Sequence, residues 1–205
     1  AAERVQVGGG AAQAGAAIGL LGAGTGLGVS GLLPDGFGGW VPLEGEGGHV
    51  TLPADTVRER IVMDGLTRRY GHASAERVAS GQGLVDAFQI LCEADGVPTD
   101  GLTTPAQITQ AALDQQHPQA LEALNLFCAF LGSVAGNLAL TLGARGGVYI
   151  GGGIVPRLGP WFHSSPFRPR FEAKGRFRAY LENIPVWVIT SAQSPALLGA
   201  ARALG

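Results

Sequence analysis

The sequence has 205 residues, of which 46% are apolar and 15% are charged, and its formal net charge at pH 7 is -2. This size and composition predict one substantial domain with a hydrophobic core, exclude a disordered chain and offer no basic surface for nucleic acid. Two cysteines, Cys92 and Cys128, are too few for a disulfide framework or a Cys-ligated zinc site, so we expect reduced thiols and a cytoplasmic protein.

The first 44 residues predict an extended lead-in followed by three antiparallel strands. Residues 1–16 are mostly small and polar, and we interpret them as the lead-in. Apolar runs on both sides of the glycine turn Gly22–Gly28 predict a β-hairpin. Asp35-Gly36 and Gly38-Gly39 then predict a second turn into a strand at Trp40–Leu43.

Helix start signals recur farther along the chain. Thr56 and Glu59 form the pattern of a capping box, and the helix that they open is expected to end at Gly71. Thr104-Pro105 repeats the signal with proline at the first helical position, and Ser194-Pro195 predicts a last helix. We therefore expect a helical insertion over about residues 54–120 within a lobe that spans residues 17–205.

The apolar segment 120–144 is long enough to span a bilayer. Its polar residues fall on one narrow stripe and its apolar residues recur at steps of three and four, which predicts a buried helix of a core and no membrane span. Residues 147–150 and 185–189 predict short strands on either side of a helical or irregular stretch. Three leading antiparallel strands, followed by helices that alternate with strands, predict an α/β fold with a mixed sheet.

The glycine turn admits several interpretations. The spacing Gly26-x-Gly28-x-x-Gly31 matches a dinucleotide-binding fingerprint, but the residues that follow predict strand and turn where that fingerprint requires a helix. A P-loop is excluded because no Lys-Ser or Lys-Thr pair ends the loop. A hairpin whose bare amides and Thr25 hydroxyl hold phosphate and a hairpin with no ligand both remain open.

Four other patterns have a structural and a functional interpretation. Glu46-x-x-His49 supplies two metal ligands, too few for zinc, so no metal site is expected. Glu76, taken by itself at a helix start, is typical of a solvated or capping carboxylate. The triple glycine Gly151–Gly153 is typical of a plain strand-to-helix turn. The bases among residues 168–178 are interpreted as a solvated face, and the neighbouring aromatic residues as packing, rather than as a nucleic-acid site.

Six segments together resemble the bacterial glucokinases, ATP-dependent kinases of the actin-like, ribonuclease H-like superfamily. They occur in family order and cover the chain from about Ile18 to its end: Gly22–Gly28, Leu43–Val50, Gly71–Leu84, Gly136–Leu140, Gly151–Pro156 and Lys174–Phe177. The resemblance implies a ribonuclease H-like lobe, a homodimer, and the transfer of the γ-phosphoryl group of ATP, with Mg2+, to the 6-hydroxyl of glucose.

The resemblance also implies roles for particular residues. Three side chains are expected to bind the sugar hydroxyls: Glu46, His49 and Glu76. Two backbone segments are expected to bind ATP, one at the phosphates and one at the adenosine: Gly24, Thr25 and Gly26, and Gly152, Gly153 and Ile154.

The resemblance covers one lobe of a two-lobed enzyme. The other lobe of such enzymes carries an Asp-x-Gly-Gly-Thr loop and an Asn-Asp pair that supplies the general base. Neither pattern occurs here, since no Asn precedes an Asp in the sequence. We therefore expect a C-terminal lobe with no catalytic residue of its own, which is inactive alone. A noncatalytic sugar-sensing regulator is the alternative, although no Cys-rich zinc loop or helix-turn-helix is visible.

Overall fold

The computed structural model describes residues 3–191, in which six strands and eight α-helices follow one another. The strands are β1 (Arg4–Val7), β2 (Ile18–Ala23), β3 (Leu27–Pro34), β4 (Trp40–Leu43), β5 (Val148–Gly151) and β6 (Val186–Ile189). The helices are α1 (Val57–Tyr70), α2 (Gly81–Asp95), α3 (Pro105–Leu113), α4 (Pro118–Leu142), α5 (Val155–Leu158), α6 (Trp161–Ser164), α7 (Phe167–Glu172) and α8 (Arg178–Glu182). The helix predicted at Ser194 lies outside the described residues.

The six strands form one mixed sheet in the order β1-β6-β5-β2-β3-β4. Strands β2, β3 and β4 pair antiparallel, as the sequence predicted, and Gly22 lies opposite Gly28 in the first hairpin. Strand β5 pairs parallel with both β2 and β6. The carboxyl ends of these three parallel strands therefore meet at one edge of the sheet, where ligands of open α/β sheets bind.

Strand β1 lies in the segment that was predicted only as an extended lead-in. It pairs antiparallel with β6, and Arg4 lies opposite Ile189. The sequence did not predict this strand because its partner lies about 180 residues farther along the chain, and no local pattern reports such a pairing.

Two of the predicted helix starts are confirmed. Thr56 and Glu59 form both hydrogen bonds of a capping box, and Gly71 ends α1 in the left-handed conformation at φ 77°. Thr104 and Gln107 form a second capping box at α3. Helices α1, α2 and α3 fall within the segment predicted as a helical insertion, whose boundaries stay a prediction.

Helix α4 is the core helix that the sequence predicted. It is long and apolar enough to cross a membrane by length and composition, but 72% of its most apolar 18-residue window is buried inside the protein. Gly132 and Gly136 let α7 approach closely, because a Cβ atom at either position would collide with a backbone carbonyl of Phe167 or Phe171.

The bases of residues 168–178 do not form the uniformly solvated face that the sequence predicted. The Arg168 side chain is 9% exposed and donates to three backbone carbonyls, those of Leu181, Glu182 and Ile184. Arg170 forms an ion pair with Glu59, which is itself buried. Arg168 is buried and Arg170 is only partly exposed, because the carbonyls at and after the end of α8 and the Glu59 carboxylate need donors. The aromatic part of the prediction is confirmed for Phe167 and Phe171, which are fully buried.

Candidate functional site

An open cleft of about 1340 Å3 lies at the edge of the sheet where the parallel strands end. The tip of the β2–β3 hairpin forms one wall, and the residues that follow β5 and β6 form another. Most of the residues that the sequence predicted for binding line this cleft: Gly24, Thr25, Gly26, Glu46, Glu76, Gly152 and Gly153. The sheet topology thus brings together segments that are more than 120 residues apart in sequence.

The hairpin tip leaves part of its backbone unpaired. The Gly24 amide donates to the Gly26 carbonyl over 2.9 Å, and the Gly24 carbonyl accepts from the Gly81 amide over 2.8 Å, so Gly24 is held by the protein itself. The amides of Thr25 and Gly26 donate to no residue within 3–191. These two amides, with the exposed Thr25 side chain, are therefore free to meet an anion.

Glu76 is the side chain that joins the hairpin to the rest of the cleft. One carboxylate oxygen, Oε2, accepts from the Leu27 amide over 3.0 Å, and the Glu76 amide donates to the Gly48 carbonyl over 2.8 Å. The other oxygen, Oε1, accepts from no described residue. Glu76 lies in a turn before α2 and is partly buried. The prediction of a solvated or capping carboxylate, made from the residues alone, is therefore wrong. The Glu76 carboxylate reaches the hairpin because Gly26 has no Cβ atom to keep it away.

Glu46 precedes a short 3-10 turn, Gly47–His49, and His49 is the last residue of that turn. Gly48 packs against the Leu27 carbonyl at a distance that leaves no room for a Cβ atom. The Glu46 side chain is 90% exposed, and its Oε2 lies 3.9 Å from Nε2 of His49, whose side chain is 61% exposed. Glu46 lines the cleft, whereas His49 lies beside Glu46 and outside the lining. Within residues 3–191 no group of three potential metal ligands forms around this pair.

The triple glycine lies against the end of β2. Gly152 has a φ of +93°, and a Cβ atom there would collide with the Ala23 carbonyl, so only glycine fits. The Gly153 amide nitrogen lies 3.9 Å from the position of a Cβ atom on Gly24, which places the two glycine segments side by side. Ile154 donates its amide to the Ala23 carbonyl over 3.4 Å and lies outside the cleft lining.

Several residues of the cleft lining were missed from the sequence. Tyr149, Arg157, Thr190 and Ser191 all line the cleft. Tyr149 belongs to a predicted strand. Arg157 lies four residues beyond the triple glycine, and this short distance is the one local signal that could have identified Arg157. Thr190 and Ser191 reach the cleft because β6 lies next to β5 in the sheet, and strand order cannot be read from local patterns.

The chain matches the family model described as Glucokinase over residues 1–205. A glucokinase from Aromatoleum aromaticum is 55% identical over 204 residues, which is 100% of this chain and 61% of that protein. The crystal structure of a glucokinase from an Antarctic psychrotroph superposes with a TM-score of 0.89 at 35% identity over 98% of this chain and 62% of its own. A glucokinase from Balamuthia mandrillaris, solved in complex with glucose, shares the fold with a TM-score of 0.77 at 24% identity, covering 88% of this chain and 52% of its own.

The chain therefore belongs to the glucokinase family, a family of sugar kinases, and the predicted actin-like α/β fold is confirmed. It spans about 60% of the length of the relatives that it matches.

Proposed function

We propose that this chain forms one wall of the glucose- and ATP-binding cleft of a glucokinase. The observation that carries the proposal is the hydrogen bond from the Leu27 amide to Glu76, because it joins a predicted sugar ligand directly to the predicted phosphate hairpin. In a phosphoryl transfer the acceptor hydroxyl and the γ-phosphoryl group must meet, so the groups that hold them must be adjacent.

The sugar side of the cleft suits a ring of neutral hydroxyls. Glu46 and Glu76 present carboxylate oxygens that accept strongly from hydroxyl donors, and the His49 imidazole beside Glu46 both donates and accepts. Oε1 of Glu76 is free to accept from a sugar while Oε2 remains bound to Leu27. A site of this kind discriminates among sugars because a misplaced hydroxyl leaves a carboxylate unpaired.

The phosphate side uses main-chain donors. Thr25 and Gly26 offer free amides and a hydroxyl, and Gly152 and Gly153 provide a surface without side chains for the remainder of the nucleotide. Mg2+ is expected to arrive on the phosphates of ATP, because this ion keeps several waters and binds through few protein carboxylates. When bound, it neutralises charge on the phosphates.

The 205 residues contain no Asn-Asp pair, and we propose that they supply no general base and do not phosphorylate glucose by themselves. A carboxylate that accepts the proton of the 6-hydroxyl and a second lobe that excludes water are the missing functions. Homodimer formation and a cytoplasmic location also stay proposals.

Calorimetric titration with glucose tests the sugar side. We expect Glu76→Gln to weaken glucose binding about 10-fold, because its amide oxygen can still accept from Leu27 while a neutral group replaces the carboxylate toward the sugar. Glu93→Gln is the matched control, since Glu93 is exposed on α2 and its side chain forms no ion pair within the described residues. Equal glucose affinity in all three proteins contradicts the proposal.

A further inference from the structure

The side chains that line the cleft carry more negative than positive charge, although the nucleotide that we propose for the cleft is itself an anion. Two carboxylates, Glu46 and Glu76, face one guanidinium group, that of Arg157, and no other charged side chain of residues 3–191 lines the cleft. A nucleoside triphosphate is a polyanion, and two acidic side chains beside it raise the need for a compensating cation.

Three arginines among residues 168–178 have partners elsewhere. Arg168 is bound to Glu172 and to backbone carbonyls, Arg170 to Asp55 and Glu59, and Arg178 to Glu182. Lys174 is half-buried near Gly136, and burial lowers its pKa. The bases among residues 168–178, which the sequence pattern singled out, therefore do not line the cleft.

The environment of Arg157 differs from that of these paired or half-buried bases. Arg157 is exposed on α5, and its side chain makes no hydrogen bond or ion pair with any described residue. Its amide donates to the Ile154 carbonyl over 3.0 Å, which ties it to the segment that directly follows the triple glycine. A guanidinium group is always charged, and its planar fork matches the oxygens of phosphate.

We propose that Arg157 binds the phosphates of ATP from the wall of the cleft that follows β5. The inference rests on the proposed function. It gives the one cationic side chain that lines the described cleft the role of a nucleotide ligand. The hairpin amides and the Arg157 guanidinium then hold the phosphates together, and the charge of Arg157 offsets those of Glu46 and Glu76.

Titration with ATP, ADP and adenosine, each with and without added salt, tests the assignment. Arg157→Gln is expected to weaken ATP binding about 10-fold or more and to leave adenosine binding unchanged, because charge-assisted hydrogen bonds to phosphate are lost. The affinity of this variant for ATP also falls less steeply as salt rises. Arg157→Lys keeps the charge and is expected to restore part of the loss.

Arg145→Gln is the matched control. Arg145 is also exposed and makes no side-chain hydrogen bond or ion pair with a described residue, but it precedes β5 and so lies at the opposite edge of the sheet. ATP binding by Arg157→Gln within twofold of the unsubstituted chain, or an equal loss in both variants, overturns the role of Arg157. Failure of the unsubstituted chain to bind ATP overturns the nucleotide part of the proposed function as well.

Discussion

At the scale of single residues, Gly26 decides how closely the Glu76 carboxylate approaches the hairpin. A Cβ atom at Gly26 would collide with Oε2 of Glu76, the atom that accepts from the Leu27 amide. Leu27 is buried, and a displaced carboxylate leaves its amide without its acceptor. One methyl group at this position therefore affects both the sugar side and the phosphate side of the cleft.

We predict that Gly26→Ala lowers the free energy of unfolding by about 1–3 kcal/mol, the cost of an unsatisfied buried amide. Gly28→Ala, two residues along the same hairpin, is the control because a Cβ atom there meets nothing within 4 Å. Urea denaturation of the two variants measures the difference. A Gly28→Ala variant as unstable as Gly26→Ala would show that the loss comes from the strand and not from the Glu76 contact.

The residue scale is also where sequence reasoning was least complete. Glu76 carries no local mark of its bond to Leu27, which lies 49 residues earlier, and only resemblance pointed to it. Arg157 was missed because its environment depends on strand order. The positive φ of Gly152 and its contact with Ala23 are likewise visible only in the structure.

At the scale of elements, local signals predicted most of the structure. Both capping boxes, the Gly71 helix end and the three antiparallel strands follow from residues within a few positions of one another. Local signals did not predict the interactions between elements, and Arg170 is the clearest example. Its ion pair with Glu59 joins α7 to the capping box of α1, across 111 residues.

Arg170→Ala is predicted to destabilise the protein by about 3–5 kcal/mol, because it leaves the carboxylate of Glu59 buried without its charged partner. Arg178→Ala, which removes an exposed pair with Glu182 one turn away on α8, is expected to have little measurable effect. Thermal and urea unfolding of both variants provide the comparison. Similar losses in the two would mean that the burial of Glu59 does not matter for stability.

A second ion-pair cluster links α1, α2 and α4 and makes stability depend on pH. Hydrogen bonds from Arg58, and then from Gln119, lower the pKa of Asp95 from 3.8 to about 2. A carboxylate whose pKa is lower in the folded state stabilises the protein above its ordinary pKa, and this contribution is lost as pH falls toward 2.

We predict that the free energy of unfolding falls between pH 4 and pH 2 and that Asp95→Asn removes about 1 kcal/mol of this change. Asp64→Asn is the control, because Asp64 is exposed on α1 and makes no hydrogen bond or ion pair with a described residue. Urea denaturation at several pH values in this range gives the slopes. The same slope in Asp95→Asn as in the unsubstituted protein contradicts the assignment.

At the scale of the whole molecule, the sheet order creates the cleft. Strand β5 lies between β2 and β6, so the glycine hairpin, the triple glycine and the residues after Ile189 reach the same edge. The sequence pointed to the two glycine segments and not to the residues after Ile189, and only a fold assigned by resemblance could predict that the segments meet. The sequence contains no Asn-Asp pair, the pattern that was expected to supply a general base.

We predict that the 205-residue polypeptide does not phosphorylate glucose when ATP and Mg2+ are supplied, because no carboxylate of an Asn-Asp pair is present to accept the proton. A coupled assay for glucose 6-phosphate measures this directly. Turnover of about 1 per second or faster, as in ordinary kinases, contradicts the prediction.

We propose that sugar and nucleotide bind at one continuous site around the β2–β3 hairpin. Backbone amide NMR shifts of the isotope-labelled chain, recorded during titration with glucose and then with a non-hydrolysable ATP analogue, test it most directly. We expect glucose to shift the amides of Leu27, Glu46 and Glu76, and the nucleotide to shift those of Thr25, Gly26 and Gly153. Shifts that cluster away from the hairpin, or none at millimolar ligand, would contradict the account.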